Sequence, residues 1–168
     1  GNIGFSGNEL YVSKPPYEPT TTYLVDDIFA GFGSSNPKNL TKVGTTLFFT
    51  ANEGIDGTEL WKSVPPYDGD NTNIVADISP GSNPSNPRQL SAIGTTLFFT
   101  ADDGTYGREL YMSEPPYEHY TTVRVDDLYS GWQTSYSHSF AAIDHTLFFS
   151  GNDGHIGQEL WKVDGSFL

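Results

Sequence analysis

The chain has no cysteine and one methionine in 168 residues. Disulfides, thiolate metal sites, iron–sulfur clusters and thiol nucleophiles are therefore excluded, while the redox compartment stays open. Basic residues are scarce. Lys plus Arg number 8 against 21 Asp plus Glu, a formal net charge of −13, and such a surface repels phosphate backbones and anionic lipid, so nucleic acid is not an expected partner. Long apolar runs are missing too: stretches such as Leu47-Phe48-Phe49 fall far short of the ~20 residues that span a bilayer, so no membrane span is expected. No basic-then-apolar leader precedes Gly1, and the chain reads as processed or cut from something longer.

Aromatics, glycine and proline are abundant: 11 Phe, 10 Tyr, 3 Trp, 18 Gly and 11 Pro. That mixture suits short strands and sharp turns and predicts an all-β protein. The length fits one repeat domain over 1–168. Self-similarity then dominates the reading. Glu59-Leu60-Trp61 recurs as Glu109-Leu110-Tyr111 and Glu159-Leu160-Trp161 and is preceded by Glu9-Leu10-Tyr11, each step being 50 residues. Pro15-Pro16-Tyr17, Pro65-Pro66-Tyr67 and Pro115-Pro116-Tyr117 keep the same phase. The repeats are 1–50, 51–100 and 101–150, with a partial copy at 151–168.

Each copy reads as four short strands, over 88–93, 95–101, 108–113 and 121–128 in the middle repeat. Gly104 and Gly107 supply the turn between the second and third, and Pro115-Pro116, lacking N–H donors, halts the ladder after the third. Leu97, Phe98 and Phe99 put bulky apolar groups on both faces of the second strand, which must then be covered on both sides. A sheet sandwiched between neighbours is a propeller blade, so the expected fold is a β-propeller-like array of four-stranded antiparallel blades. Three copies of four strands also fit a β-trefoil or β-prism, and these stand as alternatives.

The run Asp102-Asp103-Gly104, Gly107, Glu109-Leu110-Tyr111, and above all Glu159-Leu160-Trp161-Lys162-Val163-Asp164-Gly165-Ser166, resembles the ELWxxDGT repeats of large secreted or surface-attached bacterial proteins. The resemblance covers essentially the whole chain and implies blade-like repeats in an extracellular or cell-surface, non-catalytic setting. Three of the four copies depart from it by placing Pro-Pro-Tyr where the family has Asp-Gly-Thr.

The phase has a consequence for assembly. Residues 1–10 align with 151–160, so the chain opens in a hairpin turn and ends after a fourth copy of the third strand. Three first, three second, four third and three fourth strands are expected. Incomplete blades expose unpaired backbone that another copy could pair. The expected assembly residues are Glu9, Leu10, Tyr11, Val12, Leu24 and Val25 at one end and Leu147, Phe149, Leu160 and Trp161 at the other. Two copies would close a ring, and a non-closing contact would give a filament. The alternative is a slice of a longer array whose ends mark only where it was cut.

Three other chemistries are weighed. Asp102, Asp103, Asn152 and Asp153 gather hard oxygens beside glycine, the donor type calcium takes, although plain hairpin turns use the same residues. Glu59, Glu109 and Glu159, each with Trp61, Tyr111 or Trp161 two residues on and hence on the same strand face, could hold a glycan by hydrogen bonding and ring stacking. The competing reading has the Glu satisfying turn amides and the ring packing between blades. His119, His138, His145 and His155 fall in separate turns with no HxH pair, a poor zinc arrangement. GxSxG, GxxxxGK[ST] and GxGxxG are all missing, and repeated identical carboxylates are not an acid and base pair in unlike environments. No enzymatic activity or obligatory cofactor is expected.

Overall fold

A computed structural model describes residues 7–164. Its strands are β1 (Leu10–Ser13), β2 (Thr22–Asp26), β3 (Lys38–Val43), β4 (Thr46–Asn52), β5 (Thr58–Ser63), β6 (Thr72–Ala76), β7 (Arg88–Ile93), β8 (Thr96–Asp102), β9 (Arg108–Ser113), β10 (Thr122–Arg124), β11 (His138–Ile143), β12 (Thr146–Asn152) and β13 (Gln158–Asp164). They form four antiparallel meander sheets: β1–β2, β3–β6, β7–β10 and β11–β13. The first strands β3, β7 and β11 lie side by side from sheet to sheet.

Alternation along the second strand explains the stacking. In β4, Phe49 points back to Leu10, Val25 and Ile28 of the half-sheet β1–β2, while Phe48 points forward into a cluster with Leu97, Phe99 and Tyr111. In β8, Phe99 faces back into that cluster and Phe98 faces forward to Leu147 and Phe149. Each apolar layer thus joins two successive sheets, the arrangement of propeller blades. The architecture is all-β and β-propeller-like, without a closed ring among the described residues, and the β-trefoil and β-prism alternatives fall away.

Local chemistry sets the connections. Gly104 and Gly107 hold φ of +77° and +70°, the left-handed conformation glycine adopts at no steric cost. Pro15-Pro16, Pro65-Pro66 and Pro115-Pro116 are cis. Each closes a type VI turn in which Tyr17, Tyr67 or Tyr117 donates its N–H to the carbonyl of Lys14, Val64 or Glu114, at 2.7, 2.8 and 2.6 Å. Short 3₁₀ turns follow at Pro19–Thr21, Gly69–Asn71 and His119–Thr121.

Two details differ from expectation. The fourth strand of the middle sheet stops at Arg124 instead of running to 128, and beyond its end Asp127 caps Gly131 N–H at 3.2 Å. First strands carry a bulge: Asn39, Gln89 and Ser139 sit at φ of 56°, 57° and 57°, and the register shifts there in all three copies.

Candidate functional site: end faces and pockets

The repeated Glu is a latch for the chain itself. Glu59 is fully buried and accepts hydrogen bonds from Ser85 N–H (2.6 Å), Ile78 N–H (3.1 Å) and the Ser85 hydroxyl. Glu109 is also fully buried and takes Ser135 N–H (3.0 Å) and Leu128 N–H (3.2 Å). Glu9 takes Ser35 N–H at 2.9 Å and the Ser35 hydroxyl. Each latch pins the long connection to the next sheet. Burial pushes both Glu59 and Glu109 up to about 7 even though their hydrogen bonds pull the other way.

This geometry corrects the glycan reading at those positions. Glu59, Trp61, Glu109 and Tyr111 are buried and present no ring or carboxylate to a sugar. Tyr111 stacks on Phe99 at 5.8 Å and its hydroxyl donates to Asp103 at 3.0 Å. Of the proposed glycan set, only Glu159 and Leu160's neighbour Trp161 remain, Glu159 exposed and Trp161 half-buried with its Nε1 donating to the Gly151 carbonyl at 3.0 Å.

The oxygens of the calcium reading are likewise engaged by the chain itself. Asp102 and Asn152 accept the N–H groups of Gly104 and Gly154 at 2.9 and 2.7 Å. Asp103 accepts Thr105 and Tyr106 N–H, and Asp153 accepts His155 and Ile156 N–H, all between 2.8 and 3.0 Å. These oxygens build Asx-type turns, and among the described residues no three His, Cys, Asp or Glu side chains are grouped to hold a metal ion.

The predicted assembly residues divide. Leu10 and Val25 are buried against the first full sheet, Glu9 is buried on Ser35 of the connection, Val12 is half-buried, and Tyr11 and Leu24 are exposed on the opposite face of β1–β2. Leu147 and Phe149 are not edge residues: β12 is paired on both sides, by β11 and β13, and their side chains are buried against the preceding sheet. Leu160 and Trp161 lie on β13, which among the described residues pairs with β12 alone.

Two features of these ends are not visible in the strand count. On the forward face of the last sheet, Leu160 is 77% exposed although Leu60 and Leu110 are 0% and 3% exposed, and Ile143 is 61% exposed where Val43 and Ile93 are 3% and 4%. Phe148 is half-buried on that face. At the other end, an apolar cavity of about 250 Å³ separates the half-sheet from the first full sheet, lined by Leu10, Val12 and Val25 opposite Leu40, Leu47 and Tyr67. One interface later, Phe48 meets Tyr117 edge-on at 4.8 Å. Tyr67, the counterpart of Tyr117, lines this cavity.

Interfaces between sheets are also clamped by charge. Lys62 Nζ donates to the carbonyls of Pro116 and Tyr117 (2.9 and 2.8 Å) and to Glu118 (2.7 Å) in the next sheet. Its counterpart on the last sheet, Lys162, pairs locally with Asp164 at 2.9 Å.

No protein-family model and no curated protein matches the sequence. Among solved structures, one from a structural and mechanistic analysis of two prolyl endopeptidases is similar over 95% of this chain, with a TM-score of 0.55 and 12% identity. This chain spans 23% of that one. At such identity the likeness speaks for fold alone, that of a β-propeller-like repeat protein.

Proposed function

We propose that the protein is a non-catalytic structural or adhesive repeat unit that joins other copies of itself through its incomplete end sheets, in the extracellular or cell-surface setting that its resemblance to ELWxxDGT repeats implies. The observation that carries this reading is the match between the two ends. Among the described residues the cavity beside β1 has no aromatic at the place of Phe48, and the last sheet carries Phe148 and Ile143 on its forward face. When β11–β12 of one copy takes the position beside β1 of the next, Phe148 enters the cavity. The first full sheet of the second copy then covers Ile143, and Leu10 of β1 takes the place that Leu160 holds in the single chain. β13 occupies that side of β12 in the single chain, so joining exchanges one strand for another, as in strand addition.

Sedimentation of two variants tests this. Ile143→Asp places a charge on an already exposed position and leaves the single chain folded. Val12→Phe fills the cavity from within. Both are expected to sediment as single chains under conditions where the parent chain associates. A parent chain that associates no more than Ile143→Asp overturns the proposal.

A further inference from the structure

A polar pocket of about 450 Å³ lies between the first and second full sheets, with Ser35, Asn36, Lys38, Thr50, Thr58 and Arg88 among its walls. Its counterpart one repeat later is about 180 Å³ and contains Arg108, which stands at the position of Thr58. There the guanidinium donates to the carbonyls of Asn86 (2.7 Å), Thr100 (3.3 Å) and Ser85 (3.4 Å). From the partial last copy Gln158 Nε2 likewise donates to the Tyr136 carbonyl at 3.3 Å. The fold therefore presents the same acceptors in each repeat, and later repeats supply a donor from position 108 or 158.

In the first repeat the counterpart residues are Asn36, Thr50 and Ser35. All three line the pocket, Thr58 is too short to act as Arg108 does, and among the described residues no side chain donates to their carbonyl oxygens. The charge of the pocket differs as well. Arg108 has the carboxylate of Asp102 close enough to support its charge, but the counterpart of Asp102 is Asn52. His138 beside the second pocket is replaced by Arg88 beside the first. In a chain of net charge −13, this pocket has two cationic residues, Lys38 and Arg88, and no carboxylate in its walls. A cationic guest is disfavoured there. The complementary guest brings hydrogen-bond donors for the carbonyls and one negative charge for Lys38 and Arg88.

We infer that this pocket binds a uronic-acid unit of an acidic saccharide, its hydroxyls donating to the carbonyls of Asn36, Thr50 and Ser35 and its carboxylate lying by Lys38 and Arg88. The inference is independent of self-assembly, since the pocket lies between two complete sheets of one chain.

Calorimetric titration with a trigalacturonate, with a neutral trigalactoside and with acetate tests it. The acidic trisaccharide is expected to bind the parent chain and to bind Lys38→Gln about tenfold more weakly, the scale of one lost charge-assisted hydrogen bond. Thr58→Arg, which fills the pocket as Arg108 fills its own, is expected to abolish binding while keeping the parent melting temperature or raising it. Equal binding of the neutral trisaccharide or of acetate overturns the assignment. So does undiminished binding to Thr58→Arg, or no binding of the acidic trisaccharide to the parent chain.

Discussion

Replacing Glu59 by Gln removes an ionisable group whose folded-state pKa, about 7, lies well above its ordinary 4.5. Between those values the folded chain holds a proton at Glu59 that the unfolded chain has released. Stability from this group is therefore complete below about pH 4.5 and is lost as the pH rises to about 7, with a slope near −1.4 kcal/mol per pH unit. A displacement of this size is worth about 3 kcal/mol across the window, and Glu109 adds a similar amount from the same cause. In Glu59→Gln that dependence disappears, and the pH sensitivity between 5 and 7 falls to about half, with Glu109 carrying the remainder. The substitution also costs about 1–2 kcal/mol at low pH, because an amide N–H₂ meets the Ser85 donors. Urea denaturation followed by tryptophan fluorescence, at pH values from 5 to 8, reads both effects. A parent chain whose stability is flat or rises from pH 5 to 7, or a Glu59→Gln variant with the full parental slope, would refute the reasoning.

Other perturbations probe the remaining contacts. Lys62→Met keeps the aliphatic stem but loses three hydrogen bonds to the next sheet. A loss of about 1–3 kcal/mol is expected in the same urea assay, and an unchanged midpoint would show that the clamp contributes nothing. Gly57 sits at φ +79° with its missing Cβ 2.8 Å from Pro84 N, whereas Gly44, at φ +58°, has open space. Gly57→Ala should therefore lower the melting temperature clearly more than Gly44→Ala, and equal effects would contradict the packing described. A calcium chelator is expected to leave the melting temperature unchanged, since the turn carboxylates of Asp103 and Asp153 already accept backbone N–H groups. A drop of several degrees would restore calcium to those turns.

The repeat made the strand order legible before any coordinates: the 50-residue phase of Glu-Leu-aromatic and Leu-Phe-Phe fixes which strand each segment forms, and paired phenylalanines reveal coverage on both faces. Asp27, Asp77 and Asp127 hold one phase of the repeat, and each accepts the N–H of the glycine four residues on, Gly31, Gly81 or Gly131. Side-chain destinations 26 residues apart were not legible. Glu59 is the same letter whether it meets Ser85 in the interior or a sugar at the surface, and only the path of the connection decides. The first-strand bulges were hidden because Asn39, Gln89 and Ser139 share no residue type that announces positive φ. The pocket beside Thr58 needed both levels: the sequence shows Thr, Arg and Gln at equivalent positions, and the structure shows what the Arg and Gln are bonded to.

The central claim is that the two end faces recognise each other. The mass and shape of the parent chain in solution, measured by light scattering and electron microscopy over a wide concentration range, test it most directly. The account predicts a concentration-dependent rise in mass ending in a two-copy ring of twice 18.4 kDa or in filaments of stacked sheets. A compact single chain at every concentration would contradict it.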